Sequence, residues 1–184
     1  MIKATKFIFA LSFMVLLAAC GDDDDVNESL VGTWVVKSLD VTLESTTDAG
    51  GTTIESNSTL TGSNLDYTLE LKDDDTFTTS GGYDIESNTT ITGFPSTNQT
   101  FSYSNVSGNG TYTDNGGSVT IDGALYVFEV DGVEYGEGSG PQTTDYSFNS
   151  DGDLVFTQDE ETTQTISGST ISTKLMSTSV WERQ

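Results

Sequence analysis

The sequence of 184 residues has no histidine, one cysteine, two prolines and only six basic residues against 29 acids. Without histidine, neither a Ser-His-Asp nor a Cys-His nucleophile system can be assembled from this chain. Zinc sites built on His or free Cys are excluded with them. No Gly-x-Gly-x-x-Gly fingerprint or phosphate loop follows a strand and opens a helix. Carboxylates suffice for a glycosidase-type acid pair. With 29 acids some pairs must be neighbours by chance, and no specific constellation stands out. The expectation is a non-enzyme with no cofactor. The shortage of Lys and Arg excludes nucleic acid as a partner, because binding phosphates requires basic side chains that displace counterions.

The single cysteine, Cys20, ends the run Leu17-Ala18-Ala19-Cys20. Lys3 and Lys6 precede an apolar stretch from Phe7 to Ala19. A charged start, an apolar stretch and small residues before a cut site make a secretory signal. The stretch is too short for a membrane span, which needs about 20 apolar residues. Leu-Ala-Ala-Cys resembles the bacterial lipobox. That resemblance implies cleavage between Ala19 and Cys20 and acylation of Cys20 by palmitate-class chains. The rival reading is an ordinary signal peptide with a chance cysteine. Removing residues 1–19 takes away two lysines and no acid, leaving 165 residues with a net charge of -25. Such a chain is repelled by bare anionic membranes. A lipid anchor overcomes that, at about 0.8 kcal/mol per buried CH₂. With Cys20 acylated no internal disulfide can form, so the fold stands on its core alone.

After Gly21 come Asp22, Asp23, Asp24 and Asp25, then Val26-Asn27-Glu28. Adjacent like charges repel and bury nothing, so residues 20–28 read as an extended acidic tether. An acidic run directly after a lipidated cysteine resembles the surface-export signal of Bacteroidetes lipoproteins. It implies an outer-membrane anchor with the domain at the cell surface. A plain solvated spacer is the alternative. Calcium is weakly supported here, since consecutive Asp side chains do not converge on one point.

Residues 29–184 read as one all-β domain. Thr (30 residues) and Ser (22 residues) dominate the sequence, and no sustained helical spacing follows Cys20. Period-two alternation recurs in Tyr67/Leu69/Leu71, Phe101/Tyr103, Tyr126/Phe128/Val130, Tyr146/Phe148 and Leu154/Phe156. Turn signals separate these runs at Asp73-Asp74-Asp75, Asp114-Asn115-Gly116-Gly117, Asp131-Gly132 and Asn149-Ser150-Asp151-Gly152. The first and last of these gather oxygen ligands that would suit calcium, though hairpin turns use the same residues. About eight to ten antiparallel strands suit a closed up-and-down barrel, with a two-sheet sandwich as the rival. The segment Ile54–Gly62 is echoed by Ile85–Gly93. This predicts two similar polar strands, paired at one rim and projecting into solvent.

Gly32-Thr33-Trp34, after Leu30-Val31, resembles the Gly-x-Trp signature of lipocalins. The wider layout resembles the lipocalin-like lipoproteins of Bacteroidetes. It includes a mid-chain hairpin at Gly110–Gly116, a late strand at Asp153–Thr157 and an aromatic end at Val180-Trp181-Glu182-Arg183. The resemblance implies a lipocalin-like barrel. It also implies that Arg183 packs over Trp34, tying the last strand to the first.

Tyr67, Phe77, Tyr103, Tyr112, Phe128, Tyr146, Phe148 and Phe156 occupy strand positions that can face inward. An eight-strand barrel is either filled by side chains or holds one small ligand. Two functions follow. One is a surface-anchored barrel binding a small apolar or amphipathic molecule among these aromatics. The other is a non-enzymatic interaction or adhesion module with a filled core, meeting an envelope protein through its outer face and loops.

Overall fold

The computed structural model describes residues 29–126, 128–130, 133–135, 140–166 and 168–184, with the side chains of 128–130 and 133–135 outside that description. The cleavage and acylation sites, Ala19 and Cys20, and the acidic run Asp22–Asp25 lie outside the described residues, as does the Phe128 side chain.

The described residues form ten strands: β1 (Gly32–Ala49), β2 (Thr52–Leu71), β3 (Thr76–Ile91), β4 (Thr97–Asp114), β5 (Ser118–Asp122), β6 (Phe128–Val130), β7 (Val133–Tyr135), β8 (Gln142–Phe148), β9 (Leu154–Ile166) and β10 (Ser169–Arg183). Eight of them close a barrel in the order β1-β10-β9-β8-β5-β4-β3-β2, every pairing antiparallel, while β6 and β7 form a separate small hairpin. Each strand pairs with its chain neighbour once that hairpin is set aside, and closure comes from β1 against β10. This is the up-and-down order of a lipocalin-like topology, and the two-sheet sandwich is set aside.

The tight turns fall where Asp and Asn precede or occupy the corner. Asp74 Oδ1 accepts from Thr76 N at 3.2 Å and Thr76 Oγ1 at 2.5 Å. Asn149 Oδ1 accepts from Asp151 N and Asp153 N, both at 2.9 Å. The oxygen groups considered for calcium thus serve to shape hairpins. Among the described residues no group of three or more acidic or Cys side chains is placed to hold a metal ion.

The strands differ greatly in length. β5 and β8 have 5 and 7 residues, whereas β1, β2 and β4 have 18, 20 and 18. The ring is closed only where the short strands reach. β4 meets β5 over Thr111–Asp114, and β9 meets β8 over Leu154–Thr157. Among the described residues, β9, β10, β1, β2, β3 and β4 continue beyond that level as a six-stranded sheet that no further strand closes. Bulges mark the transition: Lys37 in β1 and Gly82 opposite Ser104-Asn105 interrupt the registers, as do Asn64-Leu65 in β2. Asn64 and Asn105 take φ of 49° and 56°. A bulge bends its strand and sharpens its twist, which suits a change from closed ring to open sheet.

The echoed segments are partners of each other. Ser56 pairs with Ile91, Ser58 with Thr89 and Leu60 with Ser87. They do not project wholly into solvent: Leu60 and Ile85 are buried, and the Ser58 and Thr89 hydroxyls bond across the pair at 2.9 Å in a buried position. Ile54 and Ile91, nearer the tips, are exposed.

Candidate functional site

The inward faces of the ring carry large aromatics because period-two alternation sends every second side chain to the interior. Trp34 and Trp181 are fully buried, and Tyr67, Tyr83 and Phe77 nearly so. A chain of rings crosses the barrel. Phe156 to Trp181 is 6.4 Å between centroids, Trp181 to Tyr126 5.6 Å, Tyr126 to Tyr67 5.8 Å, Tyr67 to Tyr83 5.1 Å and Tyr83 to Tyr103 5.2 Å. Most are edge-on or tilted, the arrangements the ring quadrupole favours.

Of the aromatics singled out in the sequence, Tyr67, Phe77, Tyr112 and Phe156 are buried, and Tyr103, Tyr146 and Phe148 are partly buried against the core. They fall into separate groups. Tyr67, Tyr103 and Phe156 join the ring chain above. Tyr146 and Phe148 form an edge-on pair at 6.0 Å beside Trp34. The Tyr112 hydroxyl donates to Lys72 O at 2.6 Å and so braces the β2–β3 turn. Phe77 packs on the bare backbones of Gly110 and Gly123.

Three residues central to this interior escaped the sequence reading as site residues: Tyr83, Trp181 and Tyr126. Its alternation with Phe128 predicts a barrel strand for Tyr126. It lies instead in the β5–β6 connection, outside any strand, and enters the barrel to contact Tyr67, Tyr83 and Trp181. The Tyr67 hydroxyl donates to Leu125 O at 2.9 Å, which fixes that connection. The only signal of Tyr126 in the sequence was its alternation with Phe128.

The interior is not free of polar tension. The Tyr126 hydroxyl and Thr79 Oγ1 are buried without a hydrogen-bond partner among the described residues. Burial pushes the Tyr126 phenol well above its ordinary range, against a smaller opposing influence from the nearby Ser179 hydroxyl. Burial also raises Tyr67, and Thr79 opposes it. Two open clefts elsewhere are polar. One lies by Glu44, Glu55 and Ile91, the other by Thr59, Asn88 and Asn98. Neither touches the ring chain.

At the end where the chain enters, Trp34 and Arg183 are direct register partners of β1 and β10. The guanidinium carbon lies 4.4 Å from the Trp34 ring centroid. Trp34 Nε1 donates to Leu30 O at 2.9 Å, and Arg183 donates to Val31 O at 3.2 Å and to Ser29 O. Three consecutive carbonyls of the lead-in are therefore held by these two side chains. Gly32 makes this fit: its φ of 154° disfavours other residues, and a Cβ there would stand 2.9 Å from Arg183 Nη1.

No protein-family model matches this chain, and no curated protein or solved structure matches it. What the geometry defines is a class: an eight-stranded antiparallel closed barrel of lipocalin-like topology, able in principle to enclose a small ligand.

Proposed function

We propose that this chain is a non-enzymatic, lipid-anchored module of the cell envelope that acts through its distal sheet and hairpin tips. In this reading the barrel is a filled support. The observation that carries it is Tyr126: a side chain from outside the barrel strands occupies the interior among Tyr67, Tyr83 and Trp181. The anchor rests on Leu17-Ala18-Ala19-Cys20, and the outer-membrane, surface-facing location on Asp22–Asp25. β1 starts close to Ser29 and runs 18 residues, about 60 Å at roughly 3.3 Å per residue, so the distal tips stand far from the Ser29 end.

Small-ligand binding is the second reading. It is favoured by the two buried hydroxyls, on Tyr126 and Thr79, that make no hydrogen bond of good geometry among the described residues. Native mass spectrometry of the chain from Ser29 onward, which contains every barrel strand, separates the two. A clean apo mass after challenge with fatty acids supports the filled barrel, and a reproducible added mass overturns it. The anchor is tested by fractionating the host's membranes. Cys20→Ser should release the protein from the membrane fraction, and unchanged partitioning would sink the anchor.

A further inference from the structure

The sequence holds two Asn-Gly pairs, Asn109-Gly110 and Asn115-Gly116, and the fold treats them differently. A glycine after asparagine carries no Cβ to hinder its own nitrogen, which can approach the Asn side-chain carbonyl. Asn109 lies inside β4, paired with Thr78. The backbone of Gly110 is wedged: a Cβ there would stand 2.2 Å from Asp122 O and 2.6 Å from Phe77 Cε1. Asn115-Gly116 lies in the exposed turn between β4 and β5, where a Cβ on Gly116 would meet nothing within 4 Å. Asn115 Nδ2 makes long bonds, 3.4 Å to Thr113 O and 3.3 Å to Thr120 Oγ1. Asn149, ahead of Ser150, is fixed more firmly: its Oδ1 accepts from two backbone N–H groups at 2.9 Å and its Nδ2 donates to Asp153 at 3.2 Å. The decisive contact is that of Gly116 N, which donates to Asp114 Oδ1 at 2.8 Å. The Tyr146 hydroxyl donates to the same oxygen at 2.8 Å and anchors it from β8.

We infer that Asn115 is a self-modification site, deamidated by attack of Gly116 N with Asp114 as the proton acceptor. Gly116 N bonds to Asn115 Cγ and closes a succinimide ring. The Gly116 N–H proton passes to the Asp114 carboxylate, a base already in hydrogen-bond reach. The Cγ–Nδ2 bond breaks, and the amide nitrogen takes up that proton and leaves as ammonia. Solvent water then opens the ring. Opening at Cγ gives an aspartyl residue with the ordinary main chain. Opening at the main-chain carbonyl gives an isoaspartyl residue, whose main chain runs through Cβ and Cγ. Either product places a new carboxylate next to Asp114, and the isoaspartyl form adds a methylene to the main chain of a tight turn. That turn is closed by Asn115 N donating to Ser118 O at 2.8 Å. β5 has 5 residues and meets β4 through four register pairs, so the modified turn loosens a short ladder of the closed ring. None of this depends on whether the barrel is filled.

The test is peptide mapping by mass spectrometry of the purified protein, incubated at neutral pH and physiological temperature. In the folded protein the amide-to-acid mass gain should fall on Asn115, with aspartyl and isoaspartyl products, while Asn109 and Asn149 keep their amides. In urea the two Asn-Gly pairs should react at similar rates, because turn and strand are both lost. Asp114→Ser keeps an oxygen able to accept from Gly116 N and removes the base. Its folded rate should fall at least about tenfold, short of the roughly 100- to 10,000-fold that a positioned base supplies in an enzyme, because Asp114 is exposed. Tyr146→Phe, which removes the other bond to Asp114, controls for a loosened turn and should not share that fall. The isoaspartyl fraction should melt at a lower temperature than fresh protein. An intact Asn115 after prolonged incubation overturns the inference. So do equal gains at Asn109 and Asn115 in the folded state, or an undiminished rate in Asp114→Ser. An isoaspartyl fraction that melts with fresh protein overturns the loosening of the ring.

Discussion

Arg183 lies over Trp34, its guanidinium carbon 4.4 Å from the ring centroid, and the two residues face each other across the β1–β10 pairing that closes the barrel. One contact thereby joins the first strand to the last and pins the lead-in carbonyls of Ser29, Leu30 and Val31. Trp34→Ala should cost about 3–5 kcal/mol, the range for emptying a buried aromatic site. Arg183→Ala should cost about 1 kcal/mol, since its cation–π partner is buried but Arg183 itself is partly exposed. In urea melts the double variant should lose less than the two single losses added. Strict additivity would show that the two side chains act separately.

Tyr126 fills the barrel with its ring while its hydroxyl makes no hydrogen bond of good geometry among the described residues. Tyr126→Phe should therefore fall within about 1 kcal/mol of wild type, because it removes an unsatisfied group and keeps the ring. Tyr126→Ala should cost about 3 kcal/mol by leaving a cavity. The phenol's pKa is raised above its ordinary 10.0. Its neutral form then contributes stability in full below pH 10, and that contribution is lost as pH rises toward the folded value. Ultraviolet titration should show this tyrosine ionising only with unfolding, and Tyr126→Phe should flatten the alkaline loss. A Phe variant as unstable as the Ala variant would show that the hydroxyl has a partner.

Gly81 sits in β3 with φ of 130°, and a Cβ there would lie 2.0 Å from Asp66 O. Backbone cannot yield as a flexible side chain can. Gly81→Ala should destabilise by more than about 2 kcal/mol. Gly116→Ala, where a Cβ meets nothing within 4 Å, bears strain from its φ of 72° alone and should lose less. Equal melting temperatures for the two variants would contradict the close approach of β2 and β3.

Asp153, buried ahead of β9, receives Lys37 Nζ at 3.0 Å and Asn149 Nδ2 at 3.2 Å. Burial works to raise its pKa, but the bonds from Lys37 and Asn149 outweigh it, and the net shift is below 3.8. Its stabilisation is therefore present above pH 3.8 and lost as pH falls through the lower folded value. For Lys37, raised above 10.5 chiefly by the bond to Asp153, stabilisation is complete below 10.5 and lost as pH rises further. Asp153→Asn should lower the urea midpoint at neutral pH, and its gap from wild type should shrink in strong acid. The same gap at both pH values would rule out this linkage.

The all-β class and the turns could be read from the sequence because each leaves a local mark, alternating apolar residues in the one case and Asp or Asn at corners in the other. The Trp34–Arg183 contact was implied only by the resemblance to lipocalins that Gly-x-Trp and the terminal Arg carry. Strand length was not readable. The outer halves of β1, β2, β4 and β9 are Ser/Thr-rich on both faces, so burial imposes no alternation there. Ile54–Gly62 and Ile85–Gly93 looked like solvent projections for the same reason. Yet Leu60 and Ile85, at the inner ends of that pairing, are core residues. The aromatics were found as individual inward residues, but their division between the ring chain and the Trp34 end depends on register. Tyr126 was assigned to a strand because it alternates with Phe128, and only the three-dimensional path of the β5–β6 connection sends it inward.

The central claim is that aromatic side chains occupy the barrel interior, and Trp181 reports on it directly. With Trp34→Phe leaving Trp181 as the sole tryptophan, its fluorescence should be titrated with a brominated fatty acid, whose bromine quenches only on close approach. A filled barrel predicts blue-shifted emission that stays unquenched to the solubility limit. Saturable quenching would put the ligand beside Trp181 and contradict the account.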